Sequence, residues 1–214
     1  MNEQDFEQLI LSLKDGDYKK SVEEAKKLIE KNYTKKDIVI HGIHPAMEML
    51  DSKCTLEQFN LLELMLAGRA VSSVITFLFT DLQVCVTTKP TIVVASLEGD
   101  IHDLGKNIVK IILIGKGYKV VDCGKDASIE KIVTSLKESK AKALCISGLI
   151  TSIIPEVKNV KKTLMKNNLS EVVVLAGGAA LKQSNKKELN VDYIGQTAFD
   201  AAHFLDSIFG SENE

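Results

Sequence analysis

From residue 4 to residue 82 the apolar residues return every three or four positions, as in Phe6, Leu9, Ile10 and Leu13, then Val22, Ala25, Leu28 and Ile29. That spacing places them on one face of a helix, and no segment of the stretch reads clearly as a strand. Breaks fall at Lys14 to Asp17, at Asn32 to Thr34 and around Asp51 to Thr55. Thr34 with Asp37, and Thr55 with Gln58, have the spacing of helix N-caps. The pattern predicts four helices over about 3–13, 17–31, 35–50 and 56–80. Their short connections favour an antiparallel bundle.

After Thr87-Thr88-Lys89-Pro90 the pattern changes to short β-branched runs: TIVVAS at 91–96, YKVVDCG at 118–124, AKALCIS at 141–147, EVVVLAG at 171–177 and the weaker VDYIG at 191–195. Helical patterns lie between and after them, over about 105–116, 128–139, 155–168 and 197–209. Apolar strands alternating with helices predict an α/β fold, a doubly wound parallel sheet of five strands covered on both faces. The expected organisation is a four-helix bundle over 1–86 followed by an α/β domain over 91–214. On such a sheet a ligand sits at the carboxyl ends of the strands.

Composition narrows the possible functions. Hydrophobic residues make up 45% of the 214, enough for a proper core. The 27 Lys and Arg are spread along the chain against 29 Asp and Glu, so no electrostatic footprint for nucleic acid stands out. No basic segment followed by an apolar run opens the chain, and no stretch approaches the roughly 18 apolar residues of a membrane span, so a cytoplasmic protein is expected. Cys54, Cys85, Cys123 and Cys145 stand tens of residues apart without a CxxC pair. Reduced thiols are the reading, rather than a zinc or iron–sulfur site.

The candidate chemistry lies at the strand ends. The first strand runs into Ser96-Leu97-Glu98-Gly99-Asp100-Ile101-His102-Asp103-Leu104-Gly105-Lys106, with one histidine and several acids on the loop where a ligand would lie. An aspartate two residues before a histidine can accept the Nδ1 proton and leave Nε2 as a metal ligand. Asp100 also lies near the start of a predicted helix, where an N-cap is the alternative role. The third strand ends in Ser147-Gly148-Leu149-Ile150-Thr151 and the fourth in Gly177-Gly178, small residues that let a flat or extended ligand approach the backbone. Elsewhere, His41 and His44 lack an acidic or Cys partner at ligand spacing, and His203 falls in the terminal helix. Met47, Met49 and Met65, with Leu50, Leu62, Leu64 and Leu66, are expected in the bundle core, one or two of them available as apolar cover for a ligand.

Asp100-Ile101-His102-Asp103-Leu104-Gly105, then Ser147-Gly148-Leu149, then Gly177-Gly178, resembles the DxHxxG, SxL and GG triplet of cobalamin-binding domains, in the same order and on matching strand ends. A helical cap before such a domain is similar to the B12 module of methionine synthase and to the small corrinoid proteins of methyltransferase systems. The resemblance implies a Rossmann-like, flavodoxin-like domain that binds cobalamin, with His102 as the cobalt ligand and Asp100 as its hydrogen-bond partner. It places Asp103, Gly105, Ser147, Leu149, Thr151, Gly177 and Gly178 in the cofactor site. It implies no catalytic residue. The sequence departs from the pattern at Ile153, where methionine synthase has a hydroxyl that completes a relay, with Ser152 one place early. It departs again at Ser52 to Phe59, which replace the acidic and aromatic cap loop of the small corrinoid proteins.

The function implied by the resemblance is a methyl carrier, loaded as methylcobalamin, that shuttles a methyl group on cobalt between a substrate:corrinoid methyltransferase and a second methyltransferase with a folate-like or thiol acceptor. A reductive activation protein is a further expected partner. The chain supplies cofactor and orientation rather than a complete reaction, and cap plus corrinoid domain leave no length for a substrate-binding domain. The alternative is a cobalamin-sensing regulatory module, which usually adds a helix-turn-helix and a Trp-containing cap; this sequence has no Trp.

Overall fold

The computed structural model describes residues 2–55, 60–79 and 89–210. Contacts divide the chain into two compact units, Met1–Thr87 with Ile111–Gly117, and Thr88–Lys110 with Tyr118–Glu214.

The described residues of the first unit form helices and their connections. A 3-10 turn, Glu3–Phe6, leads into α1 (Glu7–Lys14), and α2 (Tyr18–Glu30) follows with Asp17 accepting from the Lys20 amide as its N-cap. Thr34 and Asp37 close the capping box that opens α3 (Lys35–Ile38). The same helical run continues through a π-helical segment, Val39–Ile43, into α4 (His44–Thr55). Pro45 has no N–H to give to the His41 carbonyl, and the helix changes register just before it. After residues 56–59, which lie outside the described residues, α5 (Leu61–Leu78) begins. Its N-cap is Asn60, whose side chain accepts from the Leu62 and Glu63 amides, so the expected cap at Thr55 is corrected: Thr55 is the last residue of α4. Helix α1 packs against α2, α4 and α5. Leu9, Leu13, Ile43, Met47 and Ala67 have no exposed surface.

The expected bundle core is corrected at four positions. Met47, Leu50 and Leu64 are buried, but Met49, Leu62, Met65 and Leu66 are exposed. Consecutive helical residues point about 100° apart, so Met47, Met49 and Leu50 on α4 cannot all turn inward, nor can Leu62, Leu64, Met65 and Leu66 on α5.

The second unit is the expected parallel α/β sheet, of strands β1 (Thr91–Ser96), β2 (Lys119–Asp122), β3 (Ala143–Ser147), β4 (Val173–Gly177) and β5 (Tyr193–Ile194), in the order β2-β1-β3-β4-β5. Between them run α6 (Leu104–Gly115), whose residues from Ile111 on are counted with the first unit, α7 (Ile129–Ser139), α8 (Ile154–Lys166) and the short α9 (Lys186–Leu189), and α10 (Ala198–Phe209) follows β5. Ile92 and Val94 face one side of β1, Val93 and Ala95 the other, and all four are fully buried. Both faces are therefore covered, which is why these strands are uniformly apolar. One core joins Val93 and Ala95 to Ile132 and Leu136 of α7 and to Val157 and Val160 of α8. Because β2 lies on one side of β1 and β3 to β5 on the other, the winding reverses between β1 and β3, the switch point where such sheets bind ligands.

Candidate functional site

Register brings the three signature loops together. Ser96 pairs with Ser147, and Ser147 with Gly177, so β1, β3 and β4 end level at the same edge. The loops carrying Asp100 to Leu104, Gly148 to Thr151 and Gly178 leave the sheet side by side.

Asp100 is the hub. It has no exposed surface, and its two oxygens are divided between two loops. Oδ1 accepts from the His102 main-chain amide at 2.9 Å and from His102 Nδ1–H at 2.8 Å, while Oδ2 accepts from the Leu149 amide at 2.7 Å. Burial pushes its carboxyl up, but the Leu149 and His102 amides and the His102 ring outweigh that and hold it below the ordinary aspartate value. A carboxylate results, wholly engaged by donors. It fixes the His102 tautomer with the proton on Nδ1, which leaves the Nε2 lone pair for a ligand. The His102 side chain is 48% exposed. Asp100 does not act as an N-cap, since α6 starts four residues later at Leu104.

The third partner of the His–Asp pair is thus a backbone amide. Ser152 is exposed and makes no side-chain hydrogen bond among the described residues. Ile153 is 1% exposed and packs in the core. An amide N–H neutralises charge on Asp100 without relaying a proton.

The glycines account for close approaches. A Cβ on Gly105 would stand 2.8 Å from Ser147 Oγ, so glycine lets the first turn of α6 meet the end of β3. Gly178 has φ +100°, and a Cβ there would stand 2.4 Å from the Gly148 carbonyl oxygen. Gly177 is different, since its added Cβ would meet only the Gly195 carbonyl, at 3.7 Å. Leu149 is 48% exposed, Ile101 64% and Leu104 43%, an apolar fringe suited to a flat ligand. Asp103 is half-buried and gives its carbonyl to the Asn107 amide at 2.8 Å. Thr151 is exposed at the start of a 3-10 turn, Thr151–Ile153. The fold therefore gathers Asp100, His102, Gly105, Ser147, Leu149, Gly177 and Gly178, and gives Asp103 and Thr151 no side-chain hydrogen bond among the described residues.

Further residues support the site without any sequence motif. Ser96, fully buried, donates its Oγ–H to the His102 carbonyl at 2.9 Å. Asp126 accepts the Gly99 amide at 2.8 Å. Lys106, 3% exposed, bonds both Asp122 oxygens at 2.8 and 2.9 Å and Asn107 Oδ1 at 2.6 Å, tying α6 to the end of β2.

The remaining candidates have other surroundings. His41 sits against the Phe6 ring at 5.7 Å, and His203 is exposed. Cys123 and Cys145 are buried thiols; burial raises both and pushes Cys145 up to about 12. Cys85, the Cys54 side chain and most of the Ser52 to Phe59 segment lie outside the described residues. Among the described residues, no group of three or more His, Cys, Asp and Glu could hold a metal ion, and no helix is long and apolar enough to cross a membrane.

Comparison with known proteins gives the family and the fold. The B12 binding domain model matches residues 90–202. Dimethylamine corrinoid protein 2 of Methanosarcina mazei is 29% identical over 201 residues, 92% of each chain. The methanol:cobalamin methyltransferase complex of Methanosarcina barkeri has a chain that superposes with TM-score 0.85 at 24% identity, covering 100% of this chain and 83% of that one. A cobalamin-binding protein of Desulfitobacterium hafniense superposes with TM-score 0.72 at 22% identity, covering 93% and 96%.

Proposed function

We propose that this chain, which belongs to the B12-binding domain family, is a corrinoid methyl carrier that works between two methyltransferases, with His102 as the cobalt ligand. The observation that carries the reading is the donor set. A single half-exposed imidazole has its Nδ1 committed to a buried carboxylate, and among the described residues no cluster could cage a bare ion. Such a site suits a metal that arrives with its other ligands already attached, as cobalt does in a corrin ring. Bound cobalamin would supply a cobalt centre that accepts and surrenders a methyl group.

The protein's own part is to hold and orient. Asp100 sets the tautomer of His102 and, through Leu149, locks the histidine loop to the loop after β3. Gly105 and Gly178 permit the close packing that keeps these loops together, and Ser147, Leu149, Gly177 and Gly178 are the proposed lining for the cofactor's nucleotide tail. Asp103 and Thr151 complete the proposed contacts. The names of the related dimethylamine protein and of the methanol:cobalamin methyltransferase complex support a carrier served by a substrate:corrinoid methyltransferase. A second methyltransferase and a reductive activation protein complete the proposed set of partners.

The test is to load the full-length protein with hydroxocobalamin, reduce it to Co(II) and record its electron paramagnetic resonance spectrum. Wild type is expected to show nitrogen splitting from His102. The His102→Ala protein is expected to retain cofactor through the tail slot and lose that splitting. Splitting that persists in His102→Ala refutes the ligand assignment.

A further inference from the structure

The loop that presents His102 turns at Gly99, which has φ +91°. A glycine in that conformation is a soft point, free to swing unless both sides of it are fastened. Asp100 fastens the side chain of His102, but Asp100 belongs to the same loop. Its Oδ1 bonds to His102 would travel with the loop if the loop moved. Its Oδ2 bond to the Leu149 amide ties the loop to the β3 side, and the frame needs a second anchor on the β2 side.

Two residues supply it from different elements. Ser96 is the last residue of β1, and its main chain is committed on both sides to the segment after β2. Its amide donates to the Gly124 carbonyl at 3.1 Å, and its carbonyl accepts from the Ala127 amide at 2.9 Å. The hydroxyl of this immobilised, fully buried residue donates to the main-chain carbonyl of His102. Asp126 grips the other end of the loop. It has φ +51°, which turns its amide onto the Asp100 carbonyl at 3.1 Å while its carboxylate accepts the Gly99 amide at 2.8 Å. The Glu98 amide donates to the Ala127 carbonyl at 3.0 Å and completes the seam.

We propose that Ser96 and Asp126 form a two-point brace that positions His102 for metal ligation, Ser96 on the carbonyl of the ligand residue and Asp126 across the Gly99 turn. Neither side chain bonds the His102 imidazole; both are positioning residues. The inference rests on the reading that His102 ligates cobalt. Each brace bond contributes about two- to ten-fold to the population of the ligating loop conformation, the range for one intramolecular hydrogen bond.

Aquocobinamide, a corrinoid without the nucleotide tail, isolates this contribution, because its hold on the protein depends on the histidine and not on the tail slot. Its affinity is measured by visible titration on full-length wild type, Ser96→Ala, Asp126→Gly, Asp126→Asn and His102→Ala. Asp126→Gly keeps the left-handed backbone and deletes the acceptor; Asp126→Asn keeps both. The brace predicts that Ser96→Ala and Asp126→Gly weaken aquocobinamide by about two- to ten-fold, while Asp126→Asn stays near wild type and cobalamin, held also by its tail, loses less. If Ser96→Ala fails to fold, the Asp126 pair carries the test. Wild-type affinity in both Ser96→Ala and Asp126→Gly, or in Asp126→Gly alone where Ser96→Ala is unfolded, overturns the brace. Wild type binding no better than His102→Ala overturns instead the ligation reading on which it rests.

Discussion

The adjacent glycines 177 and 178 answer to different demands, and alanine at each separates them. At Gly178 two costs add. An alanine held at φ +100° has backbone strain of about 1–3 kcal/mol. Its Cβ would stand 2.4 Å from the Gly148 carbonyl oxygen and 2.9 Å from the Gly148 carbon and nitrogen, so the backbone of one loop must move. That backbone is held by the Gly148 amide on the Gly177 carbonyl at 2.9 Å and by the Ala180 amide on the Gly148 carbonyl at 3.3 Å. Losing one of these bonds costs about another 1 kcal/mol. The sum is about 2–4 kcal/mol, a large part of a typical total of roughly 5–15. At about 2–4 °C per kcal/mol for a chain of this size, the melting temperature of Gly178→Ala should fall by about 4–16 °C. Gly177→Ala meets only an ordinary contact at 3.7 Å, and its φ lies outside the left-handed region. It should stay within about 1 kcal/mol of wild type. The assay is urea and thermal unfolding of the cofactor-free proteins, followed by cobalamin titration of those that fold. Gly178→Ala as stable as wild type refutes the steric argument; Gly177→Ala with unchanged cobalamin affinity refutes a role for residue 177 in ligand approach.

Other outcomes follow from the same structure. Ile153→Ser should cost about 2–4 kcal/mol, because a fully buried aliphatic side chain becomes a smaller polar one, and equilibrium unfolding at wild-type stability would contradict the core placement. Partial burial pushes the Asp122 carboxyl up, but Lys106, the Gly124 amide and Lys110 more than offset this and lower it below the ordinary value. Its stabilisation is therefore complete above the unfolded pKa of about 3.9 and is lost as pH falls through the folded value, so Asp122→Asn should flatten stability against pH below about pH 4; an unchanged slope there is the contrary result. Asp122→Ala leaves the Lys106 ammonium buried without its carboxylate and should destabilise more than Lys106→Met, which removes the charge and keeps the volume; urea midpoints in the reverse order would refute this. Tyr118→Phe removes the hydroxyl that donates to Asp206 at 2.7 Å beside Lys89 and should cost about 1 kcal/mol, checked by chemical unfolding against wild type.

The α/β architecture was legible because the physics is local. A strand covered on both faces needs an unbroken apolar run, and TIVVAS has one; the predicted 91–96 coincides with β1. Boundaries drifted where a run began with residues that lie outside the strand, as with Tyr118 before β2 and Ala141-Lys142 before β3. The motif triplet gave His102, Asp100 and the glycines because each has a chemical or steric signature at a strand end. Leu149 was legible as a motif position, but its contribution to Asp100 is an amide that any residue there would supply. Ser96 and Asp126 left no trace, since a serine ending a strand and an aspartate in a turn are ordinary until register sets them beside His102. Nor could periodicity sort Met47 from Met49, both lying in an apolar stretch with only one inward.

The Asp100 to Leu149 bond spans 49 residues and crosses from the first strand of the sheet to the third. A chain leaving the ribosome has the histidine motif long before it has that amide, and closing so long a loop waits on strand pairings that form slowly. A nascent chain with β1 alone therefore holds every residue of the histidine motif but not the geometry, and has little means of retaining a costly cofactor. On the proposal that His102 ligates the cofactor, stable loading is expected only once the third strand has docked, and a ligand that favours the finished form would then add to the stability of that form alone.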